Sequence, residues 1–190
     1  KYITQIEGDS SGIALTFDGG SSNNGTDKIL DILREHDVKC TIFLTGDFLQ
    51  NYPKLVKQMI NDGHEIGNHS YSHPHLTMLE EDGSTNTLEN VNRDFVRRQL
   101  LKADSIYTEI SGMPMAPVWR APFGEINNEI LLWAAEAGYK HIGWAKKCDT
   151  WDWVKDTTSS IYRTAPEILE HFLELDEEIG LGGKIILMHL

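Results

Sequence analysis

No stretch of this 190-residue sequence approaches the roughly 20 consecutive apolar residues that a membrane-spanning helix requires, which excludes a transmembrane span within it. Basic residues are also scarce: 17 Lys and Arg stand against 29 Asp and Glu, for a net charge of −12. No Lys/Arg cluster forms a stripe, so there is no electrostatic footprint for a phosphate backbone, and nucleic acid is not an expected partner. Cysteine is nearly absent. Cys40 and Cys148 cannot form a disulfide framework, and one possible pair does not fix the redox compartment. Low-complexity linkers and internal repeats are lacking too. What remains, 40% hydrophobic and 24% charged residues, is the composition of a globular protein, and the length suits one domain over 1–190. The chain begins at Lys1 rather than Met, so a signal peptide or anchor can precede it. The sequence carries no signature of an oligomeric state.

The apolar residues are organised as alternating strands and helices. "GIALTF" (12–17) reads as a strand, followed by "DKILDILREH" (27–36) with Ile29, Leu30, Ile32 and Leu33 at helical spacing. "VKCTIFLTG" (38–46) is rich in β-branched residues and leads into "PKLVKQMINDG" (53–63), with Pro at its start and Gly past its end, as helices prefer. "HEIGNH" (64–69) is a third strand, and the segment 85–110 reads as one long amphipathic helix, with Asn86 and Glu89 as its cap. "APVWR" (116–120), "YKHIGWA" (139–145) and "KIILMHL" (184–190) are further strands, separated by helices over 127–138 and 165–179. Such alternation implies an α/β fold with a parallel sheet and right-handed crossovers, doubly wound or closed into a barrel. Residues 146–164 form the long irregular connection, a common carrier of function.

Polar residues with chemical potential fall at the C-terminal ends of these strands. Asp18 ends the first, His69 and His73 follow the third, Arg120 ends the fourth, Asp149 and Asp152 follow the fifth, and His189 ends the last. In parallel α/β folds that edge carries the loops that build active sites, so these residues converge. Four of the eight histidines lie within positions 64–75, "HEIGNHSYSHPH". Each alone suits a surface position, a cap or a core hydrogen bond. Clustered, His69 and His73 are spaced so that both rings can face one point, as metal ligands do.

The motifs "TFDGG" (16–20), "HSYSHP" (69–74), "RAPFG" (120–124), "DTWDW" (149–153) and "ILMH" (186–189) resemble, in order and position, the five motifs of the polysaccharide deacetylase family, the NodB-homology or carbohydrate esterase family 4 enzymes. The resemblance implies a distorted (β/α) barrel, seven-stranded with its last part missing from this chain, which stops one residue after His189. It implies a hydrolase that uses a divalent metal, Zn foremost with Co, Ni or Mn as alternatives, to remove N-acetyl or O-acetyl groups from an acetylated glycan such as chitin oligomers, peptidoglycan or xylan. By the same resemblance His69 and His73 hold the metal, Asp18 is the general base and a candidate third metal ligand, and His189 is the general acid. Arg120 would fix Asp18, and Asp152 would orient His189. Trp153 would wall the acetyl pocket and the backbone N–H of Phe123 would serve an oxyanion hole, while Tyr71, Trp151 and Trp153 suit stacking on sugar rings. A secreted or cell-surface setting follows from the substrates of the family.

The pattern departs at Gly19, where the family usually has a second aspartate as third metal ligand. Three remedies are open: Asp18 swings onto the metal, waters fill the place, or a carboxylate such as Asp149 or Glu125 moves in. The family includes members without this aspartate. Two competing functions follow, a non-catalytic carbohydrate-binding relic and a metal-independent cyclic amide hydrolase of the allantoinase-like branch. His64 and His75 match no motif.

Overall fold

The computed structural model describes residues 2–6, 8 and 12–190. Six parallel strands form one curled sheet in the order β5-β4-β3-β2-β1-β6: β1 (Ala14–Gly19), β2 (Thr41–Leu44), β3 (Glu65–Asn68), β4 (Val118–Trp119), β5 (Lys140–His141) and β6 (Ile185–His189). Register places Asp18 opposite Phe43 on one side and His189 on the other, so the base and acid candidates are neighbours across one ladder. The expected distorted barrel is present, with six strands rather than seven. In the place of a seventh strand the irregular segment after β5 closes the wall: Ala145 N–H donates to Ile185 O, Leu187 N–H to Cys148 O and Thr150 N–H to Leu187 O. The N-terminal segment stitches the same gap, with Ile3 bridging Ile142 and Gln5 bridging Lys184.

Helices flank the sheet where the periodicity placed them: α1 (Thr26–Glu35), α3 (Pro53–Asn61), α6 (Asn128–Glu136) and α7 (Ala165–Ile179). Two short helices had no sequence signal long enough to find, α2 (Gly46–Asn51) and α4 (Leu79–Asp82). The long helix α5 runs Arg93–Ser111 and is capped by Asn92, whose Oδ1 accepts from Phe95 N–H at 3.0 Å. The Asn86/Glu89 cap is therefore a misreading. Residues 76–91 instead fold back, with a Thr77–Thr87 bridge and Leu76 and Val91 buried, and that burial outweighs the helical propensity of the segment.

The core lies outside the barrel wall. Phe17, Leu30, Leu33, Ile42, Leu44, Phe48, Val56 and Met59 pack between the sheet and α1 to α3, and Trp119, Leu100, Ile130 and Ala134 pack under α5 and α6. The strand period of two turns Thr16 and Asp18 to the opposite face from Phe17, so the inside of the barrel is polar. There Thr16 Oγ1 donates to Ile186 O at 2.5 Å and the fully buried Arg120 fills the centre. Cys40 and Cys148 are both buried and unpaired with each other.

Candidate active site

Arg120 organises the barrel mouth. Its NH1 donates to Asp18 Oδ1 at 2.8 Å, its NH2 to Thr16 Oγ1 at 2.8 Å and to Gly143 O at 3.1 Å, and its Nε to Ile142 O at 3.1 Å. The guanidinium also lies 4.4 Å from the Phe43 ring centroid. Burial pushes the Asp18 carboxyl upward, but the charge of Arg120, with that of His189 and the Arg120 hydrogen bond, outweighs it and leaves its pKa below the usual carboxylate value. Asp18 is thus held ionised, with Oδ1 engaged and Oδ2 left 3.6 Å from His69 Nε2.

His69 Nδ1 lies 2.9 Å from the Arg120 carbonyl oxygen. A carbonyl only accepts, so Nδ1 carries the hydrogen and Nε2 of the neutral ring presents its lone pair toward Asp18. Burial lowers the pKa of His69 and takes that of His73 down to about 4, so neither ring carries a proton at neutral pH. Their ring centroids are 4.8 Å apart. Among the described residues no three His, Cys, Asp or Glu side chains are already gathered as a metal cage. The donor set nevertheless fits a divalent transition ion: two neutral imidazoles, one with its second nitrogen tied to a carbonyl, beside an ionised carboxylate.

Gly19 supplies nothing to that set. A Cβ there would lie 2.6 Å from Leu44 Cδ2, 3.3 Å from Leu190 Cδ1 and 3.4 Å from Phe48 Cδ2, in an apolar slot on the face opposite Asp18. Glu125, one possible substitute, is committed elsewhere: its carboxylate accepts from Leu76 N–H at 2.6 Å and Thr77 N–H at 2.9 Å and meets His75 Nδ1 at 2.7 Å. Asp149 Oδ1 accepts from Trp151 N–H at 2.9 Å, and burial pushes its carboxyl above the usual range. Asp149 is also one of the charges that act on His189.

His189 and Asp152 form the second pair. Nδ1 is 2.7 Å from Asp152 Oδ1, and the His189 N–H donates to Oδ2 at 3.0 Å, so the carboxylate fixes both ring and backbone. Burial pushes His189 down, but the Asp152 hydrogen bond and the negative charges of Asp18, Asp152 and Asp149 prevail and raise its pKa above the ordinary imidazole value. One histidine thus has its proton favoured beside two whose protons are disfavoured, the separation of roles that acid/base chemistry uses.

Backbone strain marks the same loops. Ser70, His73, Phe123 and Trp151 have φ of 64°, 51°, 57° and 56°, left-handed values that cost a residue with a side chain on the order of 1–2 kcal/mol each. Phe123 sits in a 3-10 turn, Pro122–Gly124, whose bonds run from Gly124 N–H to Ala121 O and from Glu125 N–H to Pro122 O. Its own N–H is outside that ladder. Its half-exposed ring meets His73 edge-on with centroids 4.5 Å apart, so Phe123 belongs to the site. Trp151 and Trp153 form an exposed tilted pair 6.1 Å apart on the 146–164 connection. Tyr71 does not join them. Lys102 Nζ lies 3.5 Å from its ring centroid, its hydroxyl donates to Gln50 Oε1 at 3.3 Å, and it packs over Gly46, which makes it an anchor of the histidine loop on α2 and α5.

Fold and site together define a parallel α/β barrel with a carboxylate paired to an arginine, a histidine paired to a carboxylate and two further imidazoles at one mouth. The sequence pattern of the family described as polysaccharide deacetylase matches residues 5–142, and the chain belongs to that family. It is similar to a peptidoglycan-N-acetylglucosamine deacetylase of Bacillus cereus, 41% identical over 142 residues, which cover 74% of this chain and 46% of that protein. The chain spans about half the length of the curated relatives it matches first. Among solved structures, a peptidoglycan N-acetylglucosamine deacetylase in complex with an N-oxidanyl-benzamide superimposes with a TM-score of 0.79 at 34% identity, covering 99% of this chain and 76% of that one. A carbohydrate esterase family 4 pseudoenzyme from Bacillus anthracis superimposes equally well, with a TM-score of 0.79 at 25% identity, covering 100% of this chain and 58% of that one.

Proposed function

We propose that this chain is a metal-dependent deacetylase that hydrolyses the N-acetyl groups of a peptidoglycan-type amino sugar outside the cytoplasm. The observation that carries the reading is the pair of opposed devices at one barrel mouth, Asp18 bound by the Arg120 guanidinium and His189 bound by the Asp152 carboxylate, with Asp18 and His189 on adjacent strands. A divalent ion held by His69, His73 and Asp18 would supply a Lewis-acid charge for polarising the acetyl carbonyl. Asp18 Oδ2, free of Arg120, would take the proton of the attacking water. A carboxylate this acidic is a weak base, but it is ionised across the neutral range and its geometry is fixed. The Phe123 N–H would donate to the oxygen that gains charge, and His189 would give its proton to the departing amine. Trp153 would line the acetyl methyl, with Trp151 beside it for the sugar ring. The support for peptidoglycan is the naming of the similar deacetylases, and the amino sugar and acetyl linkage are read from them.

The filled slot at Gly19 favours one second reading, a carbohydrate-binding relic, in keeping with the likeness to a pseudoenzyme. Acetate release from peptidoglycan fragments and chito-oligosaccharides separates the two. Chelator-stripped protein should be inactive and recover with Zn, Co, Ni or Mn; no release with any metal would leave the relic, and release unaffected by stripping would point to metal-independent hydrolysis.

A further inference from the structure

The histidine that no motif explains has a defined place. His75 is gripped from both ring nitrogens, with Nδ1 2.7 Å from Glu125 Oε1 and Nε2 3.0 Å from Glu80 Oε2. Glu125 is buried and is itself held by the Leu76 and Thr77 N–H groups, so one end of the grip is rigid. Clamped in this plane, the His75 ring lies flat on the Phe123 ring, with centroids 3.9 Å apart and planes 4° from parallel. Phe123 in turn has the left-handed backbone and the edge contact to His73. Glu125 also lies two residues after Phe123, so the clamp ties the histidine loop to both sides of the turn.

We propose that His75, held by Glu125 and Glu80, is a positioning residue that fixes Phe123 and thereby the N–H the proposed chemistry uses. The inference rests on the deacetylase reading for its kinetic consequence, and on stacking geometry alone for its structural one. His75 touches no reacting atom. Its removal should therefore leave substrate and metal binding in place while loosening a donor that matters in the transition state.

The test compares His75→Ala, His75→Phe and His75→Gln in the full chain. His75→Phe keeps a flat ring on Phe123 without the carboxylate bonds; His75→Gln can keep a bond to Glu125 without the ring. Loss of the stack should lower kcat about tenfold in the Ala and Gln variants, less than deletion of an oxyanion donor costs, with KM within about twofold. The Phe variant should recover most of kcat. Zinc affinity by calorimetry should stay near wild type in all three, while the thermal midpoint should fall in the Ala and Phe variants, which leave the buried Glu125 without its histidine partner. Backbone 15N relaxation at Phe123 supplies a readout without turnover, and fast mobility should rise in the Ala and Gln variants but not in the Phe variant. Unchanged kcat in His75→Ala, unchanged Phe123 relaxation, or rescue by Gln instead of Phe would overturn the proposal. If wild type releases no acetate from any glycan, the deacetylase reading fails by itself, and Phe123 relaxation still decides whether the clamp exists.

Discussion

Replacing Arg120 by Met should destabilise the metal-free protein strongly and reverse the sign of one component of its pH dependence. Arg120 is wholly buried and makes four hydrogen bonds, one of them to the nearly buried Asp18. Methionine fills much of the volume but leaves the Asp18 charge without its main partner. Breaking a buried pair from one side costs about 3–5 kcal/mol, a large part of the roughly 5–15 kcal/mol that holds a domain together. At an m-value near 2 kcal/mol/M, the urea midpoint should fall by about 1.5–2.5 M. The wild-type Asp18 has a folded pKa below its unfolded value near 3.8, so its stabilisation is present above pH 4 and is lost as pH falls through the lowered pKa. Without Arg120, burial is the dominant influence and the folded pKa rises above the unfolded one. Between those two values the folded state then binds the proton more tightly, and the variant gains stability on acidification by about 1.4 kcal/mol per unit of separation. The deficit against wild type should consequently shrink as pH falls from neutral toward the unfolded value near 3.8. Adding Asp18→Asn should restore part of the loss, giving a coupling well above 1 kcal/mol. Urea unfolding of the four proteins at several pH values decides the matter. A deficit under 1 kcal/mol, or one that grows toward acid, would refute the account of the buried pair.

Two further outcomes follow from the same geometry. Asp152→Asn should lower the pKa of His189, because the hydrogen bond that raises it is lost; the alkaline limb of kcat/KM then moves to lower pH, and an NMR titration of His189 should show the same shift even in protein without activity. Gly19→Asp should lower the thermal midpoint without tightening zinc binding, since the new side chain is directed at Leu44, Leu190 and Phe48, and tighter zinc by calorimetry with an intact fold would show that the strand end can turn.

The parts of the fold legible in the sequence are those with a long period. Helices α3 and α7 match their apolar spacing and their Pro starts almost to the residue, and strand β1 ends at Asp18 and Gly19 as the run of apolar residues suggests. The start of α5 was not legible, because Leu76 and Val91 are drawn into a core contact that the local pattern does not show. The site divides in the same way. Asp18, His69, His73, Arg120, Asp152 and His189 stand at strand ends, and topology alone brings them to one mouth. By sequence Tyr71 suits sugar stacking, Glu125 a place on the metal and His75 no motif, and none of these readings finds the contacts the structure shows, since the partners of Tyr71, His75 and Glu125 lie 21, 50 and 48 residues away and depend on how the loops cross. Phe123 was legible only as a position; its left-handed backbone has no signal in a residue type that seldom adopts it.

The position of Gly19 shows why neighbouring residues of one strand have such different value to the site. Alternation sends Asp18 into the polar barrel and residue 19 into the apolar layer against α2, so the backbone that presents the base is the one that turns position 19 away. With Leu44 and Phe48 fully buried there, the slot is part of the core, and a carboxylate in it would be desolvated without a partner. If a metal binds, its third ligand would be a water or a group already at the mouth. Asp18 has one free oxygen 3.6 Å from His69 Nε2, whereas Glu125 spends its oxygens on two loop amides and His75. Under the proposed deacetylase reading Asp18 would share two tasks, proton acceptance and metal contact, and Arg120 would let it do so by holding Oδ1 fixed while Oδ2 stays available.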